Sequence, residues 1–139
     1  MKKILAGAMA MTLSLSLAAC ASDNKDKQQD SEKTEYKVGI IQLMDHASLN
    51  QIADNIKAQL DARGAELGVT FNYEDYYQNG QGDPTLLNQI ATNMVDQEVD
   101  IIIPIATPSA VAAMAATEDK DIPIVFSAIS DPVTSGIVE

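Results

Sequence analysis

The segment Thr107-Pro108-Ser109 joins an apolar run to a stretch of small apolar residues, as where a strand leads directly into a helix. The first turn of a helix has N–H groups without intrahelical partners and a partial positive charge, so it favours an anion such as a carboxylate. The hydroxyls of Thr107 and Ser109 would add donors there. Another interpretation stays open, in which Thr107 is only an N-cap and Pro108 only the first helical residue.

A second polar pair, Asp45 and His46, follows the first apolar run, and His46 is the only histidine of the chain. An imidazole can act as a general base, but the sequence has no nucleophile elbow of the G-x-S-x-G type to accompany it. A small α/β enzyme using Asp45 and His46 therefore stays an alternative that is not favoured. The sequence also lacks a Walker A motif, a complete dinucleotide fingerprint and metal-ligand spacing, so it predicts neither cofactor nor metal.

The elements that must position these residues alternate along the chain from Tyr36 onward. Predicted strands cover residues 36–43, 69–77, 99–103 and 122–126. Predicted helices lie between them and begin at the N-caps Ser48, Asp83 and Thr107. Such alternation predicts an α/β fold, a Rossmann-like parallel sheet with helices on both faces.

The helices carry further signals of how they pack. Gly68 is expected to end the first helix, and Gly64 on its apolar stripe indicates a close approach to the sheet. The expected buried face of the second helix consists of Leu87, Ile90, Ala91 and Met94. That of the third helix consists of Val111, Met114 and Ala115.

The predicted strand order is 2-1-3-4, as in flavodoxin-like folds. Ligands of open parallel sheets bind beyond the carboxyl ends of the strands, at the point where the order reverses. Asp45 and His46 follow the first strand, and Thr107 and Ser109 follow the third. The loop 127–131, with Ser127 and Asp131, follows the fourth strand. These loops are therefore the candidate ligand site.

The N-terminal segment is predicted to be a targeting signal rather than part of the fold. Lys2 and Lys3 precede an apolar stretch, 4–17, that is too short to span a bilayer comfortably. The sequence Leu-Ala-Ala that precedes Cys20 resembles the bacterial lipobox. We therefore expect a signal peptide at residues 1–19 and a lipidated Cys20, which would anchor the chain to the extracytoplasmic face of the cell membrane. Residues 20–35, almost without apolar side chains, would form a flexible tether.

The composition narrows the choice of partners. The chain has 139 residues and a formal net charge of −11, with 9 Lys and Arg against 20 Asp and Glu. An acidic chain without a basic run argues against nucleic acid or an anionic membrane surface as a partner. Cys20 is the only cysteine, so residues 36–139 have no disulfide and no thiolate chemistry.

Three segments together resemble one known family. They are VGIIQLMDHASLNQ, VDIIIPIATPSAVAAM and IPIVFSAISDPVTSGIV, within residues 36–138. With the lipobox and the tether, they are similar to the substrate-binding lipoproteins of ABC transporters linked to tryptophan and tyrosine uptake. This family has the type I periplasmic-binding-protein fold. The chain departs from the family pattern at Ala47, where a proline is common.

The resemblance implies a function as well as a fold. Such proteins have two lobes with the ligand between them, so residues 36–139 are expected to be the first lobe of a longer protein. The implied function is capture of an extracellular aromatic amino acid, or a related small solute, for delivery to ABC permease subunits. A ligand carboxylate would be held near Thr107, Ser109 and Ser127. A membrane-tethered sensor domain that binds the same ligand remains an alternative.

Overall fold

The computed structural model describes residues 33–138. The predicted signal peptide, the lipidated Cys20 and most of the predicted tether lie outside the described residues. The strands are β1 (Glu35–Gln42), β2 (Thr70–Asn72), β3 (Tyr77–Asn79) and β4 (Ile101–Ile105). The helices are α1 (Ala47–Leu67), α2 (Pro84–Asp96) and α3 (Thr107–Thr117). None of these three helices combines the length and the apolar character that a bilayer span requires.

The strands form a parallel sheet with β1 at its centre. Gln42 at the end of β1 pairs with Asn79 of β3 and with Ile105 of β4, so β1 lies between them. A segment beyond the outer edge of β4 adds two isolated parallel bridges, one of them between Ile105 and Ser127. The parallel sheet and the side-by-side placement of these segments confirm the predicted α/β class.

Helices cover both faces of the sheet, as predicted. Ile41 and Ile102 belong to one buried cluster with the apolar faces of α2 and α3. Val38, Ile40 and Ile103 belong to a second cluster, packed against the apolar side of α1. The two clusters take alternate residues of β1 and β4, because successive side chains of a strand point to opposite faces.

The start of α2 and its buried face agree with the sequence. The Asp83 side chain accepts hydrogen bonds from the backbone N–H groups of Thr85 at 2.7 Å and Leu86 at 3.3 Å, and Pro84 is the first helical residue. The residues buried in α2 are the four predicted, Leu87, Ile90, Ala91 and Met94.

The end of α1 also agrees with the sequence. Gly68 has φ +70° and ends the helix. Gly64 is buried, and a Cβ built on it would lie 2.8 Å from the carbonyl oxygen of Val69. Real Cβ atoms essentially never come so close. The same Cβ would lie 3.4 Å from Phe71 Cδ2 of β2, so the predicted close approach to the sheet at Gly64 is confirmed.

The predicted strand 69–77 is wrong as a single element. A short 3₁₀ turn, Glu74–Tyr76, separates β2 from β3. The Asn72 side chain donates to the Asp75 carboxylate at 3.0 Å and accepts from the Asp75 N–H at 3.5 Å. Such local side-chain bonds give the backbone an alternative to the sheet ladder and interrupt the strand.

The other two strand predictions are wrong in extent. Val99 does not begin the third strand, because its N–H donates to the carbonyl of Met94 at the end of α2; β4 starts at Ile101. Residues 122–126 form no regular strand and contribute only isolated bridging. Pro123 has no N–H to donate, and Val125 and Phe126 are 54% and 39% exposed, in place of the buried strand that we expected.

Two predicted N-caps are each displaced by one or two residues. His46, not Ser48, caps α1, and its Nδ1 accepts from the N–H of Ser48 at 3.3 Å. Ala106, not Thr107, is the N-cap of α3, so Thr107 is already helical. Neither shift has a clear sequence signal, since Ser and Thr are the better capping residues by type.

The predicted buried face of α3 is wrong. Val111 is 47% exposed, Ala115 is exposed and Met114 is half-buried. The residues that are buried instead are Ser109, Ala110, Ala112, Ala113 and Thr117. These small side chains let α3 approach the sheet and α2 closely. The helix is apolar almost all round, so apolarity alone could not identify its inner face.

Candidate functional site

The carboxyl ends of the strands form one continuous row across the sheet. Asn79, Gln42, Ile105 and Ser127 are paired neighbours in that order. The loops that follow begin at Gly80, Leu43, Ala106 and Ala128. Because all the strands are parallel, the four loops start at the same edge of the sheet, where ligands of such folds bind.

The Gln42 side chain makes hydrogen bonds that hold the loop after β1 in place. Gln42 is fully buried, and its Nε2 donates to the carbonyl of Met44 at 2.8 Å and to Asn50 Oδ1 at 2.5 Å. Its Oε1 accepts from the Tyr77 hydroxyl at 2.9 Å. One buried amide thus connects the loop 43–46, α1 and β3.

Two charged side chains, Lys57 and Asp45, influence Tyr77. The Nζ of Lys57, on α1, lies 3.7 Å from the centre of the Tyr77 ring, a cation–π contact. Partial burial of Tyr77 and, next, the negative charge of Asp45 raise the pKa of its hydroxyl. Tyr77 therefore stays neutral and donates its proton to Gln42 across the neutral pH range.

Asp45 and the loop after β3 are also joined directly. Asn79 Nδ2 donates to Asp45 Oδ1 at 3.3 Å, and the N–H of Gly82 donates to the carbonyl of Leu43 at 2.8 Å. A Cβ built on Gly80 would overlap the buried Leu87 side chain, so a larger residue here would force Leu87 to shift. The two loops therefore form one tightly packed unit.

The predicted residues Asp45 and His46 both lie exposed at this edge. His46 is used as the cap of α1, and Asp45 is used by Asn79. Among the described residues, no hydrogen bond joins Asp45 to His46, so the pair is not arranged as an acid–base dyad.

The junction between β4 and α3 has a strained backbone. Ala106 has φ +80° and ψ 154°, a region that is essentially restricted to glycine. Two hydrogen bonds hold it there: its N–H donates to the carbonyl of Ser127 at 2.9 Å, and its carbonyl accepts from Ala110 at 3.2 Å. In the neighbouring loop Ala128 also has a positive φ, of 57°. Strain of this kind clusters at binding sites.

The two predicted hydroxyls of α3 differ in their surroundings. Ser109 is completely buried, and its Oγ has no hydrogen-bond partner among the described residues. Thr107 is half-buried and lines an open groove of about 330 Å³ between the first turns of α2 and α3, together with Pro84, Leu87 and Val111. A buried hydroxyl without a partner is rare in native proteins.

Ser127 lies beside Ala106 but faces a different groove. That groove measures about 590 Å³ and runs along α1 past Ile52, Ile56 and Leu60. The backbones of the Thr107 and Ser127 regions are thus in contact, while their side chains line separate grooves on opposite faces of the sheet.

Asp131, the last predicted residue, is part of a local turn. Its carboxylate accepts from the N–H of Thr134 at 3.1 Å, and the N–H and hydroxyl of Thr134 lower the pKa of the Asp131 carboxyl. Within residues 33–138, no side-chain hydrogen bond links Asp131 to Asp45, Thr107 or Ser127.

Sequence reasoning missed Gln42, Asn50 and Asn79. Gln42 was detectable as a polar residue that ends an otherwise apolar strand. Asn50 and Asn79 carried no comparable signal. No group of three or more His, Cys, Asp or Glu side chains that would hold a metal ion occurs in the part of the chain that the structure describes.

Comparison with known proteins gives a consistent set of relatives. Residues 37–139 match the family model of the ABC transporter substrate binding proteins. A tyrosine-binding protein of Clostridioides difficile is 37% identical over 118 residues. That alignment covers 85% of this chain and 33% of the relative, so the chain spans about a third of the relative's length.

Solved structures resemble the chain to a similar degree. A substrate-binding protein with adhesive properties from Clostridium difficile, in its ligand-free open structure, has TM-score 0.64 and 36% identity over 75% of this chain and 34% of that one. An ABC domain from Streptococcus pneumonia in complex with L-Trp has TM-score 0.64 and 28% identity, covering 73% of this chain and 32% of that one. A conserved domain protein from Vibrio cholerae has TM-score 0.65 and 34% identity, covering 76% and 34%.

Proposed function

The chain belongs to the ABC transporter substrate-binding protein family, and we propose that it captures an aromatic amino acid, or a related small solute, for an ABC importer. The members of this family are binding proteins rather than enzymes, and they act outside the cytoplasm. The ligand class is supported by two relatives, the tyrosine-binding protein of Clostridioides difficile and the streptococcal domain in complex with L-Trp.

The strained junction between β4 and α3 is the single observation that carries this proposal. Ala106 lies in a backbone region restricted to glycine, and the buried Ser109 hydroxyl three residues later has no partner in the described chain. Both lie at the start of a helix, where N–H groups without helical partners favour an anion. The common group of amino-acid ligands, the carboxylate, has the charge that this position favours.

The proposed site extends over the neighbouring loops. The carboxylate would lie over the first turn of α3, near Thr107 and Ser109. A further hydrogen bond would come from Ser127, whose side chain would turn from the groove along α1 toward the junction when the ligand binds. Asp45, His46 and Asp131 would line the cleft. The contact between Ala106 and the carbonyl of Ser127 at 2.9 Å supports the nearness of the two hydroxyl-bearing segments.

The proposed partners follow from the same function. Residues 36–139 would be the first lobe of a two-lobed binding protein, which closes on its ligand and delivers it to ABC permease subunits. The match to about a third of each relative's length supports the presence of further lobe residues in those proteins.

We also propose that Cys20 is lipidated and tethers the chain to the membrane. It is the only cysteine and follows a lipobox-like Leu-Ala-Ala sequence. Labelling with palmitate in cells should therefore be lost in Cys20→Ser, and a variant that is still labelled would disprove the anchor without affecting the ligand proposal.

The test of the ligand site is calorimetric titration of the full-length protein with L-tyrosine and L-tryptophan. Hydrogen bonds to a charged group contribute about 1.5–3 kcal/mol, so Thr107→Val and Ser127→Ala should each weaken binding about ten- to a hundredfold. Thr92→Val, which changes an exposed threonine of α2, serves as the matched control and should bind as the wild type does.

Tyramine has the ring and amine of tyrosine but no carboxylate. It therefore tests the proposed carboxylate site separately from recognition of the aromatic ring. It should bind far more weakly than L-tyrosine to the wild type, and equally weakly to Thr107→Val. If both hydroxyl variants bind L-tyrosine as the wild type does, the hydroxyls only cap and pack. If the wild type binds neither amino acid, the proposed ligand class is wrong.

A further inference from the structure

We infer that Gln42 is a positioning residue, which fixes the loop 43–46 and with it Asp45 at the ligand edge of the sheet. This inference rests on the proposed function for its ligand part. Gln42 is buried, whereas Asp45 is exposed at the edge, so Gln42 would act through the loop and not through contact with the ligand.

The side chain of Gln42 occupies a position where an apolar residue is expected. Val38, Ile40 and Gln42 alternate along β1 and point to the same face, and Val38 and Ile40 pack in the core beneath α1. Burial of an amide is unfavourable unless its polar atoms are hydrogen-bonded. Gln42 meets this condition only because three other elements supply partners.

The chemistry of these partners fixes the orientation of the amide. The Met44 carbonyl can only accept, so the group that faces it at 2.8 Å must be the Nε2 donor. Oε1 then faces Tyr77, whose hydroxyl must donate to it at 2.9 Å. The second Nε2 hydrogen goes to Asn50 Oδ1, so the amide has a single orientation in this network.

The backbone of Gln42 continues the same connection. Its carbonyl accepts from the N–H of Gly80 at 2.8 Å, and the next carbonyl, that of Leu43, accepts from Gly82 at 2.8 Å. The loop that holds Asp45 is thus fixed to the loop after β3 by its backbone and to Tyr77 and Asn50 by one side chain. Loss of the Gln42 amide should loosen both loops together.

The experiment compares Gln42→Met with the wild type and with Ile40→Val in the full-length protein. Methionine keeps the length of the side chain but removes its hydrogen bonds, while Ile40→Val mildly perturbs the same strand face without touching the loop. Amide hydrogen exchange at Gly80 and Gly82, relative to the amides of β4, reports the loops directly. Calorimetry with L-tyrosine reports the ligand edge.

We expect Gln42→Met to accelerate exchange at Gly80 and Gly82 about tenfold or more, and to weaken L-tyrosine binding about tenfold. Ile40→Val should leave unchanged both the exchange rates at the two glycines, relative to β4, and the affinity for L-tyrosine. If exchange at the two glycines follows the Ile40→Val pattern, Gln42 does not position the loop. If exchange accelerates but the affinity is unchanged, the loop does not serve the ligand.

The exchange measurement keeps the two proposals apart. A wild type that binds neither L-tyrosine nor L-tryptophan disproves the proposed function, while exchange at Gly80 and Gly82 still decides whether Gln42 holds the loop. If Gln42→Met does not fold, Asn50→Ala removes one partner of the amide from the exposed side, and the same exchange criterion applies to it.

Discussion

The loops that follow β1 and β4 start side by side, from the paired residues Gln42 and Ile105, but they use their polar groups in different ways. At the end of β1 and in the loop after it, the buried Gln42 amide and Asp45 have hydrogen-bond partners within the chain. In the junction after β4, Ala106 has a strained backbone and Ser109 has a buried hydroxyl without a partner in the described residues.

We infer from this difference that the two neighbouring loops have different tasks. A loop whose polar groups already have hydrogen-bond partners gives the site a rigid surface. A loop that keeps backbone strain and unused hydrogen-bonding capacity can gain the most stabilisation from a bound ligand. Natural sequences depart from local structural rules mainly at functional or strained sites. We therefore expect the α3 junction to supply most of the free energy of ligand binding, and the loop after β1 to determine the shape of the site.

The largest expected effect comes from breaking the packed loop at Gly80. In Gly80→Ala the added Cβ would overlap the Leu87 side chain and would lie 3.3 Å from the carbonyl oxygen of Leu43. Overpacking of this kind lowers the free energy of unfolding by about 1–3 kcal/mol. Urea unfolding should show this loss.

A double-mutant cycle with Leu87→Ala identifies the cause. Because Leu87→Ala removes the atoms that the new methyl group meets, Gly80→Ala should cost clearly less in that background than in the wild type. Equal costs in the two backgrounds would mean that Gly80 is required for another reason than space.

A second prediction concerns the strain at Ala106 in the other loop. Glycine tolerates φ +80°, so Ala106→Gly should relieve about 1–3 kcal/mol of strain and lose about 0.4–1 kcal/mol through the more flexible unfolded chain. The net result is an increase of about 1 kcal/mol in the free energy of unfolding, measured by urea titration.

Ala115→Gly is the matched control for that substitution. It makes the same chemical change at an exposed helical position of α3, where glycine should cost about 0.5–1 kcal/mol. Opposite signs for the two substitutions are the expected result. A loss of stability in Ala106→Gly equal to that in Ala115→Gly would show that the junction stores no strain.

A third prediction compares two buried hydroxyls of α3. The Thr117 hydroxyl donates to the Ala113 carbonyl at 3.0 Å, whereas Ser109 Oγ has no partner in the described chain. Thr117→Val should therefore lower the free energy of unfolding by about 1 kcal/mol, and Ser109→Ala should leave it unchanged or raise it by up to about 1 kcal/mol. Equal losses, measured by thermal unfolding without ligand, would contradict the unused hydrogen-bonding capacity of Ser109 at the α3 junction.

Local signals in the sequence were enough to predict much of the fold. Asp83 and Pro84 mark the start of α2, because capping depends on residues that are adjacent in the chain. The apolar face of α2 and the parallel order of the strands followed from periodicity and alternation. The inner face of α3 did not, since its residues are apolar or small on nearly all sides.

The placement of the candidate residues at one edge of the sheet was predictable, but their contacts were not. The side-by-side position of Thr107, after β4, and Ser127, in the segment bridged to β4, follows from parallel topology. The burial of Gln42 depends on partners from α1 and β3, 8 and 35 residues away in sequence, which no local pattern reveals. The strain at Ala106 was equally hidden, because alanine is not a residue that marks a positive φ.

The smallest expected effect concerns the pH dependence of the loop after β1. Partial burial and the charge of Asp45 raise the pKa of Tyr77 above its usual value of 10.0, so the unfolded chain releases this proton first as the pH rises. The stabilisation linked to neutral Tyr77 is therefore complete below pH 10 and declines above it.

Tyr77→Phe removes the hydrogen bond to Gln42 and this titration together. The wild type should unfold at a higher temperature than Tyr77→Phe at pH 8, and the difference should narrow as the pH rises above 10. A difference that stays constant or widens would mean that ionisation of Tyr77 is not coupled to the Gln42 network, and the contrast between the two loops would then rest on the α3 junction alone.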